Sequence, residues 1–403
     1  MILAFLADPE LRALLRALGE GQARIIGGAV RDALMGRVVA DVDLATPLPP
    51  DEVMARLVAA GVRAVPTGLA HGTITAILGK TPFEITTLRA DRETDGRHAV
   101  VEFGAGWEED ARRRDFTINA LSVDASGHIF DYVGGLADIT QRKVRFIGDA
   151  AARIREDYLR ILRFFRFHAL CGEGPLDAQG LKASHALRKG LATLSRERVR
   201  SEWLKLLAIE NAAPVVEVMA EHGILPFLIT PVCDVAALSH LARVEQLYNV
   251  PPDALRRLAA LAVRNAGDAV RLSNELHLSN AQTKRLTALA DNSFLEGGVD
   301  ETACRRHLYL HGPDLYRDHV LLAVARRGGD WNPFFQVPQR WTPPVFPITG
   351  KLLLERGMTP GKAMGDALRD LREEWIAAGY PSDWTSVERL LKKRNIYSQP
   401  DIK

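Results

Sequence analysis

The chain has 403 residues, of which 47% are hydrophobic and 25% charged, a composition typical of a soluble protein with two to four domains. Its formal net charge of +2 excludes an argument from bulk charge for a nucleic-acid partner, so such a partner must be sought in local clusters. The three cysteines are widely spaced, which argues against a disulfide framework or a zinc site. The sequence has no signal-peptide pattern and no apolar run of transmembrane length, which argues against a membrane protein, and we expect a cytoplasmic protein.

The first predicted element is an amphipathic helix over residues 8 to 18. Asp8 is a favourable N-cap, Pro9 suits the first turn, and Gly19 is a suitable stop. The pattern predicts a helix that packs on a sheet.

A short strand and a glycine turn follow. Ile25 and Ile26 predict the strand, and Gly27 and Gly28 allow a tight turn with close approach of the backbone. A short helix then begins, and a helix N-terminus behind two glycines offers free N–H groups to a phosphate. Arg31 adds a cation on the first turn of this helix.

Two carboxylates, Asp41 and Asp43, lie on the next predicted strand. Residues two apart on a strand share one face, and two carboxylates beside a phosphate-binding turn are suited to hold Mg²⁺ for nucleotide chemistry. A glycine pair or an Asp-x-Asp is common by itself, whereas the two in this order and spacing are much more specific. The third glycine of a dinucleotide fold and the Gly-Lys-Ser/Thr of a P-loop are both missing.

The stretch Gly-Gly-x-Val-Arg-Asp, a short helix and Asp-x-Asp resembles the nucleotidyltransferase head of the tRNA CCA-adding and bacterial poly(A) polymerase family. The resemblance implies that Asp41 and Asp43 are catalytic and hold two Mg²⁺ ions. It also implies that the triphosphate and sugar of a nucleotide are bound by Gly28, Arg31 and Arg114.

The head is predicted to continue with a second helix and three strands. The helix is expected over 49–60, and the strands over 62–65, 72–78 and 83–87, the last two forming a hairpin around 79–82. Glu84 shares a strand face with Thr86, which makes it a candidate third carboxylate beside the metals or a residue that faces solvent.

Residues 88 to 98 are polar and carry both charge signs, which predicts a mobile loop between two strands. In the resembled family a flexible loop at this place is needed for the final adenosine addition. The full length of the loop here argues against an enzyme that adds only the two cytidines.

The segment from Arg112 to Leu121 contains a second family signature, Arg-Arg-Asp-Phe-Thr-x-Asn-Ala-Leu, which begins at Arg113. Three arginines in a row most often form a solvated face, but polar residues inside the apolar segment that follows are unusual for a plain surface. The resemblance implies that Arg114 contacts the nucleotide. Alternatively, Asp115 holds that arginine in place by a bidentate pair.

A third signature, Glu-Asp-x-x-Arg, begins a predicted helix at Glu156. Asp157 and Arg160 are three apart and can act side by side. A carboxylate only accepts hydrogen bonds and a guanidinium only donates, so the pair suits the pairing edges of C and A and opposes those of U and G. The resemblance places Arg163 and Arg166 among the nucleotide contacts, while their helical positions favour phosphate, the primer or a structural acid.

Beyond residue 212 the sequence predicts only amphipathic helices broken by prolines. Before it, Glu197-Arg198-Val199 followed by Glu202 resembles the last motif of the family's helical neck, which implies a mainly structural role. His307 and His311 have the i, i+4 spacing of some metal ligands, but Gly312 and Pro313 end the helix and no third ligand is near in sequence, which favours a capping or surface role.

The predicted fold is α+β, with an N-terminal nucleotidyltransferase α/β head on a mixed sheet followed by an all-α neck, body and tail. The predicted domains are 1–150 (head), 151–212 (neck), 213–338 (body) and 339–403 (tail). The expected reaction is addition of CCA to tRNA 3′ ends from CTP and ATP with Mg²⁺, the acceptor and T arm of the tRNA being the partner. The alternatives are a poly(A) polymerase, an enzyme that adds only CC or only A, and a non-catalytic RNA-binding protein.

Overall fold

The computed structural model describes residues 3–69, 72–94, 99–230, 234–291, 300–329, 331–394 and 396, and of 90–94 and 99–103 the backbone alone. The chain divides into two compact units, Met1–Leu286 and Thr287–Lys403. The α+β fold expected from the sequence is confirmed, because strands lie in the N-terminal region and helices follow.

The first unit contains a mixed seven-stranded sheet with the strand order β3-β4-β5-β2-β1-β8-β9. Strands β2 and β5 pair in parallel, and the other neighbours in this sheet pair antiparallel. A separate two-stranded sheet pairs β6 with β7. The strands are β1 (Arg24–Ile26), β2 (Asp43–Thr46), β3 (Arg63–Gly68), β4 (Thr73–Leu78), β5 (Thr81–Thr87), β6 (Arg89–Thr94), β7 (Ala99–Phe103), β8 (Ser122–Val123) and β9 (Ile129–Phe130).

Five helices alternate with or directly follow the strands in sequence, and the later helices follow one another without a further strand among the described residues. They are α1 (Pro9–Leu18), α2 (Gly28–Leu34), α3 (Pro50–Ala59), α4 (Trp107–Arg112), α5 (Gly135–Thr140), α6 (Ala150–Glu156), α7 (Leu159–Cys171), α8 (Ala178–Leu187), α9 (Arg196–Leu207), α10 (Ala212–Glu221), α11 (Val235–Leu247), α12 (Ala254–Ala262), α13 (Ala266–Glu275) and α14 (Asn280–Leu289).

Local sequence signals placed several elements correctly. The Asp8 carboxylate accepts hydrogen bonds from the backbone N–H groups of Glu10 and Leu11, at 2.8 and 3.4 Å, and so caps α1. The predicted hairpin is also confirmed, because β4 and β5 pair up to Leu78 and Thr81.

Three predictions about element bounds were wrong. Asp41 precedes β2, which begins only at Asp43, because the pairing with β1 ends where Ile26 meets Asp43. Residues 89–94 of the loop predicted over 88–98 form strand β6, which pairs with β7, and residues 95–98 lie outside the described residues.

The third error concerns the helix predicted from Glu156. Asp157 is extended, with φ −155° and ψ 107°, and separates α6 from α7. Its carboxylate accepts the backbone N–H of Leu159 at 3.1 Å. An aspartate that bonds the backbone in this way favours a helix end over a helix interior.

The first unit also contains a buried ion triad. The Glu245 carboxylate on α11 accepts Nε–H of Arg256 and of Arg257, both at 2.8 Å, and the three residues are at most 2% exposed. Arg257 also donates to the carbonyl of Leu207 at 3.1 Å, which ties α12 to the end of α9.

In its described part the second unit contains helices and connecting segments but no strand. Its helices are Glu301–Arg327, Asn332–Phe335, Val337–Arg340, Gly350–Glu355, Lys362–Ala377 and Trp384–Lys393. Two apolar clusters form its core, one around Tyr316 and one around Leu371. None of the described helices is long and apolar enough to cross a membrane.

The surface role that the sequence favoured for His307 was wrong, because this side chain is buried. His307 and His319 are both buried, and their ring nitrogens Nε2 and Nδ1 are 2.7 Å apart. The break that was expected at Gly312 is present, and the chain resumes a helical course that brings His319 back to His307.

Candidate active site

A cleft of about 560 Å³ lies in the first unit, where the turn after β1 faces α4 and α7. It brings together most of the residues singled out from the sequence. Those that line it are Gly28, Arg31, Asp43, Arg114, Asp157, Arg160, Arg163 and Arg166. Asp41 and Glu84 are not part of this lining.

The glycine turn forms one end of the cleft. Gly27 has φ +66°, a conformation that favours glycine. The guanidinium of Arg31 is buried, and its orientation is fixed by three hydrogen bonds, two to the Asp32 carboxylate at 3.0 and 2.8 Å and one to Asn119 Oδ1 at 2.8 Å. A fixed cation beside a helix N-terminus can bind a phosphate group.

Acidic side chains gather where β2 meets β5. Asp43 and Glu84 are direct partners in the parallel pairing of these strands. Asp43 opens to solvent, but the protein around it removes part of its hydration, which raises the pKa of the carboxyl. The negative charges of Glu84 and then Asp41 raise this pKa further, and Arg114 opposes them.

This donor set fits a divalent cation. Carboxylate oxygens are the ligands that Mg²⁺ prefers, and a bound cation would relieve the repulsion that raises the pKa of Asp43. Within the described part of the chain, no three or more His, Cys, Asp or Glu side chains are already arranged around a common metal position.

Asp110, not Asp115, holds Arg114. Its Oδ2 atom accepts Nε–H and Nη2–H of Arg114 at 3.2 and 3.0 Å, and its Oδ1 atom accepts Arg113 at 2.9 Å. Burial alone would raise the pKa of Asp110, but Arg114 and Arg113 outweigh it and hold the pKa below its ordinary value. The suggestion of an Asp115 pair with Arg114 was therefore wrong.

Asp115 instead binds the helix α7. Its Oδ2 atom accepts Nε–H of Arg163 at 2.7 Å, and its Oδ1 atom accepts Asn119 Nδ2 at 3.2 Å. Burial lowers the pKa of Arg163, and the negative charges of Asp115 and Glu202 reverse this and raise it. Arg166 donates to Glu202 at 2.6 Å, so both arginines reach structural acids, as their helical positions favoured.

Asp157 and Arg160 both line the cleft but each has another partner. Arg198 Nη2 donates to Asp157 Oδ2 at 2.7 Å, and Arg160 pairs with Glu156 and donates to the carbonyl of Arg153 at 3.0 Å. The Asp157 carboxylate is thus oriented by a residue of α9 and the Arg160 guanidinium by residues of α6, and the two side chains do not orient each other.

Sequence reasoning missed the residues that orient the arginines. Asp110 is three and four residues before Arg113 and Arg114, a helical spacing that signals ion pairs. No local spacing could have paired Asn119 with Arg31 or Arg198 with Asp157, because these contacts join distant segments.

A mixed sheet with a glycine turn, paired carboxylates and a cleft lined by arginines defines the catalytic head of a nucleotidyltransferase. The family model described as Poly A polymerase head domain matches residues 23–145. A second model, described as Probable RNA and SrmB- binding site of polymerase A, matches residues 176–235.

Among full-length relatives, CCA tRNA nucleotidyltransferase 1, mitochondrial, of Danio rerio is 36% identical over 89% of this chain and 84% of its own length. The crystal structure of the Bacillus stearothermophilus CCA-adding enzyme in complex with CTP is 26% identical, with a TM-score of 0.76 over 96% of this chain and 98% of that chain. The Thermotoga maritima CCA-adding enzyme complexed with tRNA shares the fold at 18% identity, with a TM-score of 0.68 over 98% of this chain and 99% of that chain.

The chain belongs to the CCA tRNA nucleotidyltransferase family, as its three sequence signatures indicated. It is a nucleotidyltransferase.

Proposed function

We propose that this enzyme transfers CMP twice and AMP once to the 3′ end of a tRNA that lacks its CCA. In each step the 3′-OH of the primer attacks the α-phosphorus of the nucleotide, the bond between the α- and β-phosphates breaks, and pyrophosphate leaves. The observation that carries the proposal is the single cleft that contains the glycine turn, Asp43 and the Asp157/Arg160 pair.

The catalytic residues in this proposal are Asp41 and Asp43, which would hold two Mg²⁺ ions, with Glu84 as a candidate third carboxylate. Bound Mg²⁺ would supply charge neutralisation at the attacking and leaving oxygens. Gly28, Arg31 and Arg114 would bind the triphosphate and sugar. The ion pairs that fix the two arginines reduce the cost of ordering them when the nucleotide binds.

Base selection is assigned to Asp157 and Arg160. The described bonds of Asp157 use one contact on each carboxylate oxygen, and a carboxylate has about four acceptor sites. It can therefore accept the exocyclic amine of C or A while Arg198 stays bound. Uracil and guanine would instead place a carbonyl oxygen against the Asp157 carboxylate and a ring N–H against the Arg160 guanidinium, so that neither hydrogen bond forms.

The tRNA is proposed to bind the helical part of the chain. Support comes from the match of residues 176–235 to a family model described as an RNA-binding site and from the tRNA complex of the Thermotoga enzyme. We propose the same boundaries as above for head, neck, body and tail, with the body and tail on the acceptor and T arm. A cytoplasmic location stays a prediction, since the Danio relative is named as mitochondrial.

The test is incorporation onto a tRNA transcript without its 3′ CCA, with CTP alone, ATP alone and both, in Mg²⁺. Extension by three nucleotides only with both substrates would support the proposal. Long ATP-only tails on arbitrary RNA would assign a poly(A) polymerase, and extension that stops after two cytidines would assign a CC-only enzyme.

Asp41→Asn combined with Asp43→Asn should abolish this incorporation with an unchanged circular dichroism spectrum. Asp51→Asn is the matched control, because Asp51 is an exposed acid in the first turn of α3 and does not line the cleft. Turnover retained in the double variant would overturn the assignment of the catalytic residues.

A further inference from the structure

Asn119 joins two sides of the cleft through its side-chain amide. Its Oδ1 atom accepts Arg31 Nη1–H at 2.8 Å, and its Nδ2 atom donates to Asp115 Oδ1 at 3.2 Å. Asp115 in turn accepts Arg163 Nε–H at 2.7 Å through its other oxygen. We call this chain of contacts from Arg31 through Asn119 and Asp115 to Arg163 the amide bridge.

An amide suits this position chemically. Arginine only donates and a carboxylate only accepts, so the residue between Arg31 and Asp115 must do both. Asn119 is 7% exposed, and buried polar networks of this kind rigidify a site when every member is satisfied. The backbone carbonyl of Asn119 also accepts Arg114 Nη1–H at 3.4 Å.

A second, independent contact connects the same two arginines. The guanidinium carbons of Arg31 and Arg163 lie 5.0 and 5.2 Å from the centroid of the Phe167 ring, within the range of cation–π attraction. Both guanidinium groups therefore contact the same ring, and a shift of one of them that moves Phe167 also changes the contact of the other.

We infer that Asn119 is a positioning residue that couples the phosphate-binding side of the cleft to the base-binding helix α7. Arg31 lies at the glycine turn, and Arg163 lies one helical turn after Arg160. When a triphosphate binds Arg31 and restricts the movement of its guanidinium, the amide bridge also restricts the movement of Arg163. Helix α7 therefore stays aligned with the bound nucleotide. The inference rests on the proposed function of the cleft as a nucleotide site.

The direct test is a double-mutant cycle on CTP binding, measured by titration calorimetry with Mg²⁺. Arg31→Lys and Arg163→Lys should each weaken binding, and their effects in the wild-type background should be non-additive because the two arginines share a network. In an Asn119→Leu background the non-additivity should shrink to the part that the shared Phe167 ring contributes. Additive effects in the wild-type background, or a non-additivity as large in the Asn119→Leu background as in wild type, would overturn the inference.

Asn119→Leu by itself should raise the KM for CTP by at least about tenfold, since it removes two hydrogen bonds to charged groups, and should reduce the preference for CTP over UTP. Thr117→Val is the matched control, because it deletes a buried hydrogen bond to Asp138 in the same short turn and touches none of the cleft arginines. The control should lose thermal stability and keep its KM within about twofold of wild type. A wild-type KM and selectivity in Asn119→Leu would overturn the inference.

If Asn119→Leu fails to fold, Asn119→Asp tests the same bridge. It keeps the acceptor for Arg31 and nearly the same shape, but its carboxylate replaces the donor to Asp115 by a like charge. Its cycle should also show less non-additivity than wild type, and a non-additivity as large as in wild type would overturn the inference. A wild-type protein that binds CTP without extending tRNA would refute the proposed function alone, while one that binds no CTP would refute both.

Discussion

Asp157 and Arg198 are joined at 2.7 Å across 41 residues of sequence, so that helix α9 orients the carboxylate to which we assign base recognition. Both side chains are partly exposed, at 28% and 42%. Exposed ion pairs add little to stability, typically about 0.2–1 kcal/mol, so the contact has more consequence for orientation than for folding.

Arg198→Met should therefore lower nucleotide discrimination with little loss of stability. Without its partner, Asp157 can leave the orientation in which it accepts from C and A, and misincorporation from UTP should rise several-fold. Incorporation assays with CTP and UTP at equal concentration measure this. Lys205→Met, an exposed residue on the same helix that does not line the cleft, is the control and should discriminate as wild type does. Unchanged discrimination in Arg198→Met would remove Arg198 from base selection.

Gly135 should not tolerate a side chain. A Cβ atom there would clash with the backbone oxygen of Thr117, in the turn that also carries Asn119. Gly135→Ala should cost about 1–3 kcal/mol of unfolding free energy, as overpacking usually does, and should also weaken CTP binding. Gly106→Ala is the control, because a Cβ atom at Gly106 would meet nothing within 4 Å. Urea unfolding and CTP titration of both variants measure the two effects, and equal stability of the two would contradict the expected clash.

The buried triad of Glu245, Arg256 and Arg257 should respond strongly to loss of its acid. Glu245→Ala leaves two buried guanidinium groups without their shared carboxylate, and removal of one partner from a buried pair costs about 3–5 kcal/mol. Glu108→Ala removes the acid of an exposed pair with Arg112 and should change stability by about 1 kcal/mol or less. Denaturant midpoints compare the two, and a loss no larger than that of the control would show that the triad is dispensable.

The histidine pair in the second unit should make stability depend on pH. Burial, and then the neighbouring His319 and His311, lower the pKa of His307 to about 3. The unfolded chain binds a proton at this residue below about pH 6.5 and the folded chain does not. Stability should thus fall as pH drops from about 6.5 towards 3, with a slope from this residue of up to about 1.4 kcal/mol per pH unit.

His307→Gln should flatten this dependence, because the amide keeps a polar contact with His319 and does not titrate. Thermal unfolding between pH 7 and pH 5 measures the effect. His185→Gln, a change at an exposed histidine, should leave the steep dependence in place. An equally steep decline in His307→Gln would assign the acid sensitivity to other groups.

The sequence predicted those features that depend on neighbours along the chain. Asp8 caps α1 because its partners are two and three residues away, and the hairpin of β4 and β5 forms around a short turn. The candidate residues of the cleft were found from spacing within three short motifs, and most of them do line one cleft.

What the sequence did not predict are the partners that distant segments provide. Asp115 was expected to hold its neighbour Arg114, but tertiary packing gives it Arg163 from α7. Asp157 was assigned to a helix by its motif, yet the aspartate bonds the backbone of Leu159 and interrupts the helix. His319 was missed for the same reason, because only the kink at Gly312 brings it to His307.

The strand order of the head also determines when it can fold during synthesis. Strand β1 pairs on one side with β2 and on the other with β8, where Ile25 faces Val123. At about 5–20 residues per second, the ribosome needs roughly 5–20 seconds to supply that second partner. For this interval the nascent chain has an apolar strand with one open edge, which is a template for aggregation. Strand β1 is thus a segment of the sheet that chaperone binding during translation would protect.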